Sequence, residues 1–248
     1  MSQKRRFRFQ FGGGAISKGA LYLLFATVGV SLVFMVSPPD AQGQMATWLL
    51  ATDESIWRNF YIWQLFTSPL LEPQLISLLF EGFMLWMFLP QLEKWWGTKR
   101  FLIFAAYTSV AAMAAGTLVG FFLEDTAVKV GGTVVAGHPV SGLDSFIFAG
   151  IIAYGVLFRD RKVQFFGVLP MTGKQMAIGI SLFALAFILI GQQWADGAAM
   201  AAAMIVAFLV TTGRFAPKLW YLKWKQKRIR SHLKIVPKDD PKKKKWVN

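Results

Sequence analysis

The stretch FLIFAAYTSVAAMAAGTLVGFFL, residues 101–123, contains no Asp, Glu, Lys or Arg. It is longer than the roughly 20 apolar residues with which an α-helix crosses the hydrocarbon core of a bilayer. Three other uncharged runs share this character, and two apolar runs are interrupted only by acids. The uncharged runs are 19–39, 175–195 and 197–213. The interrupted runs are about 70–90, which contains Glu72 and Glu81, and about 140–158, which contains Asp144. The sequence therefore predicts an all-α membrane protein with six transmembrane helices.

The composition excludes the other broad classes of protein. Apolar residues make up 55% of the 248 residues and charged residues only 16%, below the ~25% charged that is usual in soluble domains. An aromatic content of 15% excludes intrinsic disorder. Cysteine is absent and the two histidines are His138 and His232, which excludes disulfide frameworks, thiol catalysis and histidine-rich metal sites. We predict no metal site and no cofactor.

Lys and Arg are distributed very unevenly between the two faces of the predicted bundle. When both termini and the loops 91–100 and 159–174 are placed on one face, that face holds 25 of the 27 basic residues. Only Arg58 and Lys129 lie on the other face. Basic residues concentrate on the cytoplasmic side of membrane proteins. We therefore predict that both termini are cytoplasmic, in a multi-pass protein of the plasma (inner) membrane of a prokaryote.

The charge also divides the chain into three parts. Residues 1–18 form a basic cytoplasmic segment, residues 19–213 the membrane domain, and residues 214–248 a basic cytoplasmic tail with a net charge of +11. A basic segment beside a membrane attracts anionic lipid at about 1 kcal/mol per Lys or Arg. We predict that the tail binds anionic headgroups. It carries no recognisable nucleic-acid motif, so no nucleic-acid partner is expected.

The first outward loop, about 40–69, is rich in aromatic side chains and poor in charge. Amphipathic aromatic residues settle at the headgroup level of a bilayer. We therefore expect this loop to lie in the outer membrane interface. Its aromatic residues are Trp48, Trp57, Phe60, Tyr61, Trp63 and Phe66.

Four short strings follow one another along the predicted helices. They are Trp57-Arg58 in the outward loop, LEKWWGTKRF at 92–101 after span two, Val140-Ser141-Gly142 at the head of span four, and ADGAA at 195–199 at the head of span six. In this order they make the chain, from about residue 20 to 213, resemble the rhomboid intramembrane serine proteases. The resemblance implies a six-helix rhomboid-like bundle. It also implies a serine on helix four as nucleophile, a histidine on helix six as its base, and polar residues on helix two at the oxyanion.

The chain has a serine at the nucleophile position implied by the resemblance, but it has no histidine at the position of the base. Ser141 occupies the nucleophile position, but the position of the family's histidine is Ala199. On helix two, the positions of the oxyanion histidine and asparagine are Ser77 and Glu81. The glycine two residues before the nucleophile is replaced by Pro139, which has no backbone N–H to donate.

His138, three residues before Ser141, is only a weak substitute base, because Pro139 disfavours helical geometry for the residue before it. We therefore predict a pseudoprotease that binds or sorts single-span transmembrane clients without cleaving them. The aromatic loop and a lateral cleft between helices two and five would receive the client. The alternative is an atypical rhomboid-type serine endopeptidase that uses Ser141.

Two acids, Glu81 and Asp144, fall within predicted spans. An ionisable side chain inside a membrane is costly and by default indicates function. Two interpretations stay open: a proton-sharing carboxyl site that is wet from outside, or protonated carboxyls that join helices by hydrogen bonds. A proton-linked transporter built on these acids is a third functional hypothesis, and no internal repeat supports it.

Overall fold

A computed structural model describes residues 17–123, 127–165 and 169–213 of the chain. The basic tail 214–248 and most of the basic N-terminal segment lie outside the described residues. The lipid binding predicted for the tail therefore stays a prediction, as does the cytoplasmic placement of both termini.

Helices dominate the described residues, and each of the six predicted spans contains one. The helices are α1 (Lys18–Val36), α2 (Pro39–Leu49), α3 (Gln64–Thr67), α4 (Leu75–Met87), α5 (Leu89–Trp96), α6 (Thr98–Phe121), α7 (Asp144–Leu157), α8 (Gly173–Gly191) and α9 (Trp194–Thr211). A π-helical turn at Glu54–Arg58 and a 3-10 turn at Ser68–Leu70 complete the outward loop. The predicted all-α membrane bundle is confirmed.

Among the described residues, four helices are long and apolar enough to cross a membrane, namely α1, α6, α8 and α9. A fifth span is reached if Gln64–Leu70 and α4, which meet at a bend of 91°, are counted together. The remaining predicted span, α7, has 14 residues and is about 21 Å long at 1.5 Å per residue. It is shorter than expected because the helix begins only at Asp144. The residues before it include Gly137 and Gly142, with φ angles of +81° and +79° that a helix cannot contain.

Two β-hairpins connect the helices, and neither was predicted. Strands β1 (Ala127–Val130) and β2 (Thr133–Ala136) are antiparallel and join α6 to α7. Strands β3 (Lys162–Phe165) and β4 (Leu169–Thr172) are also antiparallel and join α7 to α8. The first hairpin turns through Gly131-Gly132, a dipeptide that favours tight two-residue hairpin turns because glycine accepts positive φ.

Helix α9 packs against both α6 and α7, and it buries a stripe of alanines. Ala195, Ala199, Ala203 and Ala207 are all buried and recur every four residues, on one face of the helix. A Cβ placed on Gly116 of α6 would lie 3.0 Å from the carbonyl oxygen of Ala195. Small residues allow such backbone contact between helices in a membrane. The predicted tight packing of span six against span four is confirmed, and α6 shares it.

The first turn of α1 is held by a carboxylate from α5. Glu93 is buried, and its two oxygens accept hydrogen bonds from the backbone N–H groups of Gly19 and Ala20 at 2.8 and 2.9 Å. The hydroxyls of Ser17 and Thr98 donate to it at 2.5 and 2.6 Å. Ser17, the N-cap residue, makes no side-chain cap of its own. Glu93 therefore caps α1 from another helix and joins α1, α5 and α6.

Candidate functional site

Ser141 lies in the irregular segment 137–143 and not on a helix. It is partly buried and precedes the first residue of α7, Asp144, by three positions. Within residues 17–123, 127–165 and 169–213, no side chain or backbone group forms a hydrogen bond with the Ser141 hydroxyl. The hydroxyl that the sequence predicts as the nucleophile is therefore not joined to a base.

The segment around Ser141 is fixed by the outward loop. Val140 donates its N–H to the carbonyl oxygen of Ala51 at 2.9 Å, and the two residues form a β-bridge. Ser68 donates its hydroxyl to the carbonyl oxygen of Val140. Gly142 donates its N–H to the carbonyl oxygen of Leu71 at 3.0 Å. Backbone and side-chain hydrogen bonds thus hold both neighbours of Ser141, and the chain there has little freedom to rearrange.

His138, the weak substitute base, is directed to an aspartate. Its backbone N–H donates to Asp53 Oδ1 at 2.6 Å, and its Nδ1 lies 3.7 Å from the same oxygen. Asp53 is itself buried in the outward loop. The backbone of His138 is thus tied to Asp53, and no hydrogen bond joins the His138 side chain to Ser141 among the described residues.

Ala199, at the position where the rhomboid resemblance implies a histidine, is buried at 1% exposure. Its Cβ lies 3.1 Å from the point where a Cβ on Gly116 would stand, so α6 and α9 leave little room around it. Helix two, α4, carries the position at which the resemblance implies an oxyanion histidine, and that position is Ser77. Ser77, on α4, is only half-buried and forms no hydrogen bond with any described residue.

Three carboxylates come together beside the start of α7. One oxygen from each of Glu72, Glu81 and Asp144 lies within 4.8 Å of the others. Glu72 and Glu81 are buried, while Asp144 is partly exposed. The sequence singled out Glu81 and Asp144 and noted Glu72 only as an interruption of span two. The signal that could have found it was the same one, an acid within an apolar run.

Gly142 is the point where these carboxylates meet the segment of Ser141. A Cβ added to it would stand 2.5 Å from Glu72 Oε2 and 2.7 Å from Glu81 Oε1. The backbone N–H of Leu143 donates to Glu81 Oε1 at 2.5 Å. The other oxygen, Glu81 Oε2, is buried and accepts no hydrogen bond from the described residues. The site is thus strongly acidic, and its groups can hold protons or a cation.

The aromatic residues of the outward loop form a stack. The rings of Tyr61 and Trp63 lie 4.7 Å apart, and those of Trp48 and Trp63 lie 5.8 Å apart. The indole N–H of Trp63 donates to the carbonyl oxygen of Trp48 at 3.0 Å. Trp48 and Trp63 are exposed and Tyr61 is partly buried, as expected for side chains that meet a membrane interface. The interfacial position itself stays a prediction.

Glu93 belongs to the LEKWWGTKRF string and lies outside the spanning helices. Burial raises the pKa of this carboxyl, but the hydrogen bonds from Ser17, Thr98, Gly19 and Ala20 outweigh burial. The net result is a pKa below its ordinary value of 4.5. Its part is structural, because it stabilises the bundle as an ionised cap.

A family model described as "Eukaryotic integral membrane protein (DUF1751)" matches residues 18–215. No curated protein matches the chain. The match supports the predicted integral membrane protein. It overturns the prediction of a prokaryotic plasma membrane, because the matching family is eukaryotic. The error has a simple cause: the distribution of Lys and Arg distinguishes the cytoplasmic face from the other face, but it does not distinguish one membrane or organism from another.

Proposed function

The chain belongs to the family of eukaryotic integral membrane proteins (DUF1751), and we propose that this multi-pass protein is a rhomboid-like pseudoprotease that holds single-span transmembrane clients without cleaving them. The observation that carries the proposal is the buried Ala199 in place of a base. A serine hydroxyl is a poor nucleophile unless an adjacent base removes its proton. Ser141 has no such base hydrogen-bonded to it among the described residues.

The acids beside Ser141 support the same conclusion. An acyl-transfer site must stabilise negative charge on the carbonyl oxygen of the substrate, and it does so with preorganised hydrogen-bond donors. Here Glu81 stands at the position of a donor, and Glu72 approaches the same residue, Gly142. An ionised carboxylate accepts hydrogen bonds and repels a developing oxyanion. A protonated carboxyl has one proton to donate, and the Leu143 N–H already occupies one Glu81 oxygen.

The client-holding part of the proposal is supported by two apolar helix faces. Helix α4 exposes Leu75, Ile76, Leu79, Phe80, Phe83 and Trp86, and helix α8 exposes Ile178, Leu182, Phe183, Leu185, Leu189 and Ile190. Helix α4 packs on α1, α5 and α7, whereas α8 packs on α7 and α9. Both helices thus present one apolar side outward, as a surface that receives a transmembrane helix in a lipid environment must do.

The catalytic half of the proposal is tested by reconstituting the purified protein with a fluorescently labelled single-span substrate. Wild type and Ser141→Ala should both leave the substrate intact, and a serine-directed fluorophosphonate should label neither. Cleavage or labelling that depends on Ser141 would establish the alternative, an atypical serine endopeptidase, and refute the pseudoprotease.

The holding half is tested by photo-crosslinking in the same proteoliposomes. A photoreactive residue replaces Leu79 on α4 or Leu182 on α8, which are 66% and 61% exposed, and Phe25 on α1, 67% exposed, is the matched control. Clients should crosslink several-fold more at Leu79 and Leu182 than at Phe25. Equal crosslinking at all three positions would mean random collision in the membrane and would contradict the proposal.

A further inference from the structure

We propose that Glu72, Glu81 and Asp144 bind one divalent cation of the oxygen-preferring kind, such as Ca²⁺ or Mn²⁺, beside the start of α7. The three residues come from different parts of the fold: the break before α4, the middle of α4, and the first position of α7. This site is independent of the client-holding function. It also departs from the sequence prediction of no metal site, which considered only cysteine and histidine ligands.

The first support is the geometry of the three carboxylates. One oxygen from each lies within 4.8 Å of the other two. Oxygen ligands stand about 2.1–2.6 Å from Mg²⁺, Mn²⁺ or Ca²⁺, so two ligands on opposite sides of an ion are about 4–5 Å apart. The observed spacing therefore fits a single ion. The set contains oxygen alone, without nitrogen or sulfur, which favours hard cations over zinc or copper.

The second support is an oxygen without a donor. Glu81 is 1% exposed, and its Oε2 accepts no hydrogen bond from the described residues. Buried polar atoms are almost always paired, so an orphan oxygen inside a group of acids indicates a missing partner. The neighbouring amide does not serve it, because the N–H of Leu143 points to Oε1.

The third support is the charge around Glu81. The charged side chains that interact electrostatically with Glu81 are themselves acids, Asp144 and Glu72, and both repel its negative charge. Asp196 repels the negative charge of Glu72 in the same way. Like charges at this separation in a poorly hydrated site repel strongly. A divalent cation removes this repulsion, and the partial exposure of Asp144 leaves the site accessible to an ion.

The experiment measures the binding of Mn²⁺ to the full chain in phosphocholine nanodiscs by electron paramagnetic resonance. We expect one Mn²⁺ per chain, competed by Ca²⁺ and not by K⁺ at matched ionic strength. Binding should release protons and tighten as the pH rises, because the carboxyls must be ionised to ligate the ion. Glu81→Gln and Asp144→Asn should each weaken binding at least tenfold, while Asp40→Asn, an exposed acid on α2, should leave it unchanged.

Thermal unfolding separates a cation from shared protons. In wild type, Ca²⁺ should raise the unfolding midpoint and EDTA should reverse the rise; in Glu81→Gln, neither should have an effect. The opposite result, wild-type protein that binds no stoichiometric Mn²⁺ and does not respond to Ca²⁺, would mean that the acids share protons, and it would overturn the proposal. These two measurements use wild-type protein, so they test the proposal even if a variant fails to fold.

Discussion

Replacing Glu93 with alanine should remove the hydrogen bonds that join the first turn of α1 to α5 and so destabilise the bundle. Glu93 is 4% exposed and accepts four hydrogen bonds, two of them from backbone N–H groups in the first turn of α1. The other two come from the hydroxyls of Ser17 and Thr98. A methyl group in its place offers no acceptor, and the N–H groups of Gly19 and Ala20 have no intrahelical alternative, because the first turn of a helix has no preceding carbonyls.

The loss is sizeable, because each orphaned donor has a cost. A buried polar group without a partner costs about 1–3 kcal/mol, and Gly19 and Ala20 are both buried. The hydroxyls of Ser17 and Thr98 are only partly buried and can turn to water. We therefore expect Glu93→Ala to lower the free energy of unfolding by about 2–6 kcal/mol, the sum for two orphaned N–H groups. Glu93→Gln keeps an acceptor oxygen and should lose less, about 1–2 kcal/mol.

The assay is reversible unfolding in mixed micelles, followed by tryptophan fluorescence, with Lys94→Ala as the control. Lys94 is the exposed neighbour on α5, and its loss should cost no more than about 0.5 kcal/mol.

The hydrogen bonds hold the pKa of Glu93 below 4.5 in the folded protein, so its contribution to stability is complete above the unfolded pKa. It is lost as the pH falls below 4.5 through the folded pKa. The difference in unfolding free energy between wild type and Glu93→Gln should therefore become smaller in acid. A difference that does not change with pH, or a Glu93→Ala variant as stable as Lys94→Ala, would refute the capping role.

Two further substitutions, Ala199→His and Gly142→Ala, probe the site, and a third, Gly97→Ala, is the control for the second. Ala199→His should not restore proteolysis, and cleavage by this variant in the reconstituted assay would contradict that expectation. The same variant should lower stability by about 1–3 kcal/mol through overpacking against Gly116, and unchanged stability would contradict the tight packing. Gly97→Ala, at φ +79° with open space around it, should cost about 1–3 kcal/mol from backbone strain alone. Gly142→Ala has the same φ but would place its methyl 2.5 Å from Glu72 Oε2, so it should cost distinctly more; equal losses would mean that the carboxylates do not crowd Gly142.

The positions of the helices could be predicted because hydrophobic runs of helical length are a strong signal in a sequence. All six predicted spans contain a helix. Their lengths could not be predicted in the same way. Helix α7 begins only at Asp144 because the preceding chain is held in non-helical conformation by the outward loop, through Ala51 and Val140. That is a contact between residues far apart in the sequence, and a local apolar pattern carries no information about it.

Two of the three acids of the candidate site could be predicted from the sequence. Acids inside apolar runs are rare, so Glu81 and Asp144 attracted attention from their positions alone. Glu72 lies in the non-helical break before α4 and was treated as an interruption, although the fold brings it to the same place. The backbone hydrogen bond from His138 to Asp53 was not predictable, because Asp53 precedes His138 by 85 positions. The sequence also gave no sign that Glu93 caps α1.

The Glu93 cap has a consequence for how the protein is made. The N–H group of Gly19 and its acceptor are 74 positions apart in the chain. At about 5–20 residues per second, the ribosome adds that much chain in roughly 4–15 s. During this interval the first turn of α1 has already been synthesised, but its acceptor has not. Until α5 is made, the N–H groups of Gly19 and Ala20 therefore need another acceptor, such as water.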